Sequence, residues 1–282
     1  MKTILLPTDF STTSKHAADF AITLADLLQA QILVIHAYMP PITTAEYVVP
    51  LPEQGFMQEY FKVEEDMLTT FTKELTERYE DASKPYAKVQ SKFMVGTVSD
   101  CVQELEEEMS IEFVVMGTVG ASNAWERFWG TNTLSVVKHI KTPIWIIPKA
   151  TKLHAIEHLI YTADLEGDEI GAVKKVLDIA TVLGATETKV LHIKENLEPE
   201  IFSTKEMIHL LEDEFEGQPV SFTNLYRDDT IAGLDTYIHH HQPDAVVIAR
   251  RDKGLLERLF HTSVLAHLAV TSKIPVLVLQ KD

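Results

Sequence analysis

The sequence predicts an α/β protein made of two tandem, doubly wound domains, each with a five-stranded parallel sheet. Three observations predict it. Short runs of branched apolar residues alternate with segments of helical period, the alternation is written twice, and the two halves close on similar phrases. Continuous apolar strands separated by helices are what a parallel sheet covered on both faces requires.

The first half opens with the strand pattern Ile4-Leu5-Leu6. From Ser14 to Gln29, Ala17, Ala18, Ala21, Ile22, Ala25 and Leu28 recur at helical spacing. Ile32-Leu33-Val34-Ile35 is a second buried-strand pattern, and Glu59 to Arg78 reads as a helix. Val89 to Val95 follows as a strand, Val98 to Met109 as a helix, and Phe113-Val114-Val115-Met116 as a strand. A helix after Gly130 and the strand Ile144-Trp145-Ile146-Ile147 complete the unit.

The second half repeats the order. Leu159-Ile160-Tyr161 is a strand, and Ala172, Val173, Val176, Ile179, Ala180 and Leu183 form a helical stripe. Val190 to Ile193, Val220 to Tyr226, Ala245 to Ala249 and Val276 to Leu279 supply the remaining strands. Lys141-Thr142-Pro143-Ile144-Trp145-Ile146 is matched by Lys273-Ile274-Pro275-Val276-Leu277-Val278, and Glu126-Arg127-Phe128-Trp129 by Glu257-Arg258-Leu259-Phe260. Repetition on this scale reads as two homologous domains, residues 1–148 and 156–282, with a linker over 149–155. An insertion near Met39 to Phe56 carries Pro40, Pro41, Pro50 and Pro52 and reads as a loop or flap.

Composition narrows the function classes. In 282 residues, 45% are hydrophobic and 24% charged, as in ordinary globular proteins. The single cysteine, Cys101, allows no intramolecular disulfide, and no apolar run is long enough to span a membrane, so a cytoplasmic setting is expected. A net charge of −17 repels nucleic acid and anionic membranes, leaving small anions held by local dipoles as candidate ligands.

One motif carries chemistry. After the strand ending at Met116 come Gly117-Thr118-Val119-Gly120, nine residues, and Gly130-Thr131-Asn132-Thr133 at a helix start. The glycines bring bare backbone to a ligand, and the helix start offers unpaired N–H groups and a positive dipole end to phosphate. The first strand ends nearby, at Pro7-Thr8-Asp9-Phe10-Ser11, so Asp9 can accept from an adenine amino group or a ribose hydroxyl. In an open parallel sheet both features fall at the ligand-binding carboxyl edge.

Pro-Thr-Asp-x-Ser after the first strand, a His at the end of the second (His36), Gly-x2-Gly-x9-Gly-Thr and a closing Thr-Pro-Ile-x-Ile strand together resemble the ATP-binding subclass of the universal stress protein family. The resemblance implies the adenine nucleotide alpha hydrolase-like, Rossmann-like fold. It also implies ATP, or ADP or AMP, as ligand, with or without Mg2+, and a regulatory or stress-response role. Members commonly associate through the last strand, so the tandem domains are expected to pair as an internal pseudo-dimer, a further homodimer remaining open. Carried over by position, Pro7, Thr8 and Asp9 would flank adenine and ribose, and Ala37 would offer its backbone to the base. Met116 and Gly117 would lie beside ribose and phosphates, and Gly120, Gly130, Thr131, Asn132 and Thr133 would hold the phosphates. Neither a catalytic residue nor a metal ligand is assigned.

The second half departs from this pattern. Asp164 keeps the place of Asp9, but Gly117, Gly120 and Gly130 correspond to Ala249, Asp252 and His261, so family-type nucleotide binding is not expected there. Arg250, Arg251, Lys253 and Arg258 with His261 form a basic cluster that reads either as another anion site or as ordinary surface charge. His239-His240-His241 point in different directions on a helix and read as a solvated helix end. Two other functions remain open. A slow Mg-dependent ATP hydrolase or phosphotransferase would need a carboxylate beyond Asp9, for which Glu126 is the one candidate. A nucleotide-independent scaffold would keep the glycines for shape alone.

Overall fold

The computed structural model describes residues 1–39, 54–118, 131–152, 154–165, 167–195, 204–251, 264, 267–268 and 273–281; side chains of 54–60, 131, 132, 134, 195 and 251 are outside the description. By contacts the chain divides into two compact units, residues 1–117 with 130–142 and residues 118–129 with 143–282.

In the first unit, β1 (Thr3–Pro7), β2 (Gln31–Tyr38), β3 (Val89–Val95) and β4 (Phe113–Thr118) are ordered β3-β2-β1-β4. Their pairings are parallel, Ile4 lying opposite Ile32 on one side and Phe113 on the other. Strand order therefore reverses between β1 and β4, which puts the topological switch point at their carboxyl ends. The helices are α1 (Thr12–Leu28), α2 (Gln54–Tyr79), α3 (Val98–Glu108) and α4 (Thr131–His139). Helix α1 starts where Ser11 caps it, accepting the Ser14 amide, and ends where Gln29 turns left-handed at φ 53°. Its apolar stripe is buried, Ala17, Ala21 and Ala25 being fully enclosed. Thr97 caps α3 in the same way, accepting the Asp100 amide.

In the second unit, β5 (Ile144–Pro148), β6 (His158–Ala163), β7 (Glu187–Glu195), β8 (Val220–Arg227), β9 (Ala245–Arg251) and β10 (Val276–Lys281) are ordered β5-β10-β9-β6-β7-β8. Helices α5 (Glu169–Leu183), α6 (Thr204–Glu214) and α7 (Thr230–His241) accompany them. Among the described residues its pairings are parallel except one: β10 runs antiparallel to β5, with Leu277 opposite Trp145. The strand that closes the first sequence repeat thus groups by contact with the second unit.

The structure lengthens most of the elements read from sequence, ends α3 one residue earlier at Glu108, leaves β3 as read, and adds one element. Helix α2 begins at Gln54, inside the proposed loop, and residues 40–53 of that loop lie outside the described residues. Helix α6 fills a stretch for which the sequence reading assigned no element, burying Leu211. Among the described residues no helix is long and apolar enough to cross a membrane.

Candidate functional site

The rim of the first unit is built on the turn after β1. Thr8 is buried, its amide bonded to the Ile35 carbonyl and its hydroxyl donating to Ser14 Oγ at 3.2 Å while accepting the Phe10 amide at 3.0 Å. Asp9 is exposed and accepts the Ser11 amide at 3.1 Å. Burial pushes its carboxyl up, but hydrogen bonds from Ser11 and Ser14 outweigh that and hold it below the usual carboxylate range. Phe10 takes a left-handed backbone, φ 61°, which costs on the order of 1 kcal/mol for a residue with a Cβ.

Strand β2 outruns β1 at this edge. The ladder between them ends at Pro7 opposite Ile35, and Thr8 N–H closes it on the Ile35 carbonyl. On the other side, the Tyr38 carbonyl accepts the Gly96 amide beyond β3. A strand directs the backbone groups of alternate residues to opposite sides. Ile35 faces β1, so Ala37 faces that way too, and there β1 has already ended. The amide and carbonyl of Ala37 therefore point into the space beyond β1, beside the turn that carries Asp9.

At the switch point Gly117 is pressed against α1. A Cβ at this position would lie 2.4 Å from the Thr13 carbonyl oxygen and 2.7 Å from its carbon. The glycine is thus required by the close approach of strand and helix, a reason independent of any ligand and not visible in the sequence. Pro7 and Met116 are buried in their strands, and Thr133 is buried in the first turn of α4. Of the other expected phosphate contacts, Gly120 and Gly130 lie outside the described residues, as do the side chains of Thr131 and Asn132 and the alternative carboxylate Glu126. The structure therefore brings Thr8, Asp9 and Ala37 together at one rim, with Gly117 at the end of β4.

At the corresponding edge of the second unit the acid is paired within the fold. Asp164, the counterpart of Asp9, accepts from Lys281 Nζ at 2.8 Å, and the same ammonium donates to Glu169 at 2.7 Å. Tyr161 donates its hydroxyl to the other oxygen of Glu169 at 2.6 Å. Lys281, Glu169 and Tyr161 are buried. Burial drives the Glu169 carboxyl upward despite the opposing pull of Lys281. Ala249 is buried in β9, and Asp252, Lys253, Arg258 and His261 lie outside the described residues, as does the Arg251 side chain. Both units share a device that sequence reasoning did not single out as a pair. His36 Nδ1 lies 2.8 Å from the Thr8 carbonyl oxygen, and His192 Nδ1 lies 2.9 Å from that of Ala163. In each case the second strand pins the end of the first.

Other sequence candidates have local explanations. His239, His240 and His241 end α7, with His241 stacked on Tyr237 at 4.0 Å and His240 bonded to the Thr236 carbonyl. Cys101 is buried in α3, its thiol pushed up by burial. Among the described residues no group of three or more His, Cys, Asp or Glu could hold a metal ion.

Comparison with known proteins agrees with this architecture. The sequence profile of the universal stress protein family matches residues 1–148 and again residues 150–280. A universal stress protein of Methanocaldococcus jannaschii is 25% identical over 154 residues, spanning 54% of this chain and 84% of the relative. A second from the same organism is 22% identical over 154 residues, spanning 52% and 95%. The crystal structure of a universal stress protein from Archaeoglobus fulgidus aligns over 99% of this chain and 98% of its own, with a TM-score of 0.72 at 17% identity, a likeness of fold.

Proposed function

We propose, from the premise that this chain belongs to the universal stress protein family, that its first unit binds one adenine nucleotide (ATP, ADP or AMP) at the carboxyl rim of β1, β2 and β4, and that occupancy serves a regulatory role in the stress response. The feature that carries the reading is the direction of the Ala37 backbone, which follows from the β1–β2 register. An amide and a carbonyl from one residue, aimed past the end of β1, offer a donor and an acceptor to the edge of adenine, whose ring nitrogen accepts and whose amino group donates. Asp9 stands exposed on the adjoining turn, ionised and ready to accept from ribose hydroxyls. Phosphates would extend past the end of β4 toward Gly120, Gly130 and the start of α4 at Thr131, Asn132 and Thr133, where a helix N-terminus favours negative charge. Mg2+, if it accompanies ATP, would be held chiefly by the phosphates. In the second unit Lys281 already satisfies Asp164, which supports a stoichiometry of one nucleotide per chain. The antiparallel β5–β10 pair supports reading the tandem repeat as an internal pseudo-dimer.

The test is direct. Purified protein is denatured and the released small molecules are identified by mass spectrometry, and stripped protein is titrated with ATP, ADP and AMP by calorimetry. One nucleotide per chain is expected, with affinity about tenfold weaker in Asp9→Ala through loss of a charge-assisted hydrogen bond. Absence of any bound nucleotide, together with no saturable heat up to millimolar ATP, overturns the proposal.

A further inference from the structure

We infer that His36 is a positioning residue that ties the base-facing end of the rim to α2, making α2 the element that reports nucleotide occupancy. The inference rests on the nucleotide reading above and adds to it the route by which binding leaves the site.

His36 is 9% exposed and in contact on every side. Nδ1 donates to the Thr8 carbonyl at 2.8 Å, which fixes the turn that presents Asp9. The Phe10 ring lies over the imidazole at 4.5 Å and 33°, and Phe93 of β3 borders it at 5.9 Å. On its far side Nε2 meets Glu64 Oε2 of α2 at 3.3 Å. That contact is close and polar but not aligned as a hydrogen bond, so Nε2 has no hydrogen-bond partner of its own. Phe71 of α2 touches Phe10 edge-on at 6.0 Å, and Phe61 of α2 meets both Tyr38 and Phe93 at 5.4 and 6.0 Å. Helix α2 therefore grips three things at once: the imidazole, the strained Phe10, and the ends of β2 and β3.

Ala37, the proposed reader of the base, is the next residue in β2, and Asp9 is the residue between Thr8 and Phe10. A ligand engaging Ala37 and Asp9 together brackets His36 on both sides. Any displacement of the turn is passed through the Thr8 carbonyl and the Phe10 ring to the imidazole, and from there to Glu64 and Phe71. An aromatic cluster in mutual contact transmits such a shift because one ring cannot move far without displacing its neighbours.

The experiment measures amide hydrogen exchange by mass spectrometry on the full chain, without and with ADP, in wild type, Glu64→Ala and Glu64→Gln. Alanine is a good helix former at this partly exposed position, so the variant is expected to fold. Without ligand, the Phe10 and Ser11 amides in Glu64→Ala should exchange about two- to fivefold faster, the range a partly exposed polar contact supports. Glu64→Gln should fall between, because its amide keeps a polar group of the same shape beside Nε2 without the carboxylate charge. With ADP, wild type should gain protection across residues 61–75, and Glu64→Ala should bind ADP but lose most of that gain. Unchanged turn exchange in Glu64→Ala, or an undiminished response of α2, overturns the inference. If wild type takes up no nucleotide the proposed function fails, while exchange of the turn without ligand still decides whether Glu64 holds His36 and the turn.

Discussion

Replacing Gly117 by Ala tests why the first glycine of the motif is there. The added Cβ would sit 2.4 Å from the Thr13 carbonyl oxygen, whereas carbon and oxygen in ordinary contact stay more than about 3 Å apart. Both obstructing atoms belong to backbone, so no rotamer change relieves the clash; β4 and the first turn of α1 must separate by roughly 1 Å to restore ordinary contact. That turn includes the Ser11 cap and the Ser11–Ser14 bonds, at 3.2 Å from the Ser14 amide and 2.9 Å from the Ser14 hydroxyl. Overpacking of this kind costs about 1–3 kcal/mol, and partial loss of a cap adds about 0.5–1 kcal/mol. The expected total, about 1.5–4 kcal/mol, corresponds to a fall of roughly 5–12 °C in the melting of the first unit. Differential scanning calorimetry on nucleotide-free protein measures it, with exchange of the Ser14 and Lys15 amides locating the damage in α1. A melting temperature within about 1 °C of wild type would refute the packing argument and return Gly117 to a role in ligand access alone. The result also governs how binding data are read. Nucleotide lost in a Gly117 variant reflects a disturbed α1 as much as a missing phosphate contact, which is why Asp9→Ala is the better probe.

Two further outcomes follow from buried and clasped charges. Lys281→Met leaves Asp164 and the buried Glu169 without their cation and should destabilise the chain by about 3–5 kcal/mol in urea unfolding, with part recovered by adding Glu169→Gln. His154 in the linker contacts Asp244 through Nε2 at 2.6 Å, while Asp244 also accepts the amides of Glu157 and His158 at 2.9 and 2.8 Å. The hydrogen bond to Asp244 raises the pKa of His154 above 6.5, so its stabilisation is complete below the unfolded value and lost as pH rises through the folded one. Proton NMR titration should therefore place His154 above free histidine in wild type and near it in Asp244→Asn; equal midpoints would contradict the clasp.

Much of the fold was legible because parallel strands buried on both faces must be continuous apolar runs, as Ile32 to Ile35 and Val246-Val247-Ile248 are. Helix α6 escaped notice because it buries little: Thr204 and Leu211 are its enclosed residues, so its apolar period is weak. Its signal was Met207, Ile208 and Leu211 spaced at one and three residues. The antiparallel β5–β10 pair was out of reach of periodicity, since an apolar run does not state the direction of its neighbour. At the site, Asp9 and Gly117 stood out by motif, but the reason for Gly117 did not, because Thr13 is brought to it by packing rather than by sequence. Lys281 carries no signal in the sequence; only the fold brings it to Asp164, 117 residues away.

The two units differ at matching points in a way that bears on function. Each pins the end of its first strand with a histidine, His36 to Thr8 and His192 to Ala163, so the scaffold of the rim is preserved in both. What changes is the acid that follows. Asp9 is exposed and held ionised by neutral hydroxyl and amide donors, so its charge remains available to a ligand. Asp164 is bound to Lys281, whose side chain is 1% exposed and whose other carboxylate, Glu169, is equally buried. A ligand at Asp164 would meet a carboxylate whose charge is already compensated by a buried ammonium, so it would gain less from that acid than from the uncompensated Asp9. Among the described residues, the acid of the second rim is therefore paired with a cation from its own last strand, while Asp9 at the same position of the first has no such cation. This difference needs no contribution from the glycines that distinguish the halves in sequence.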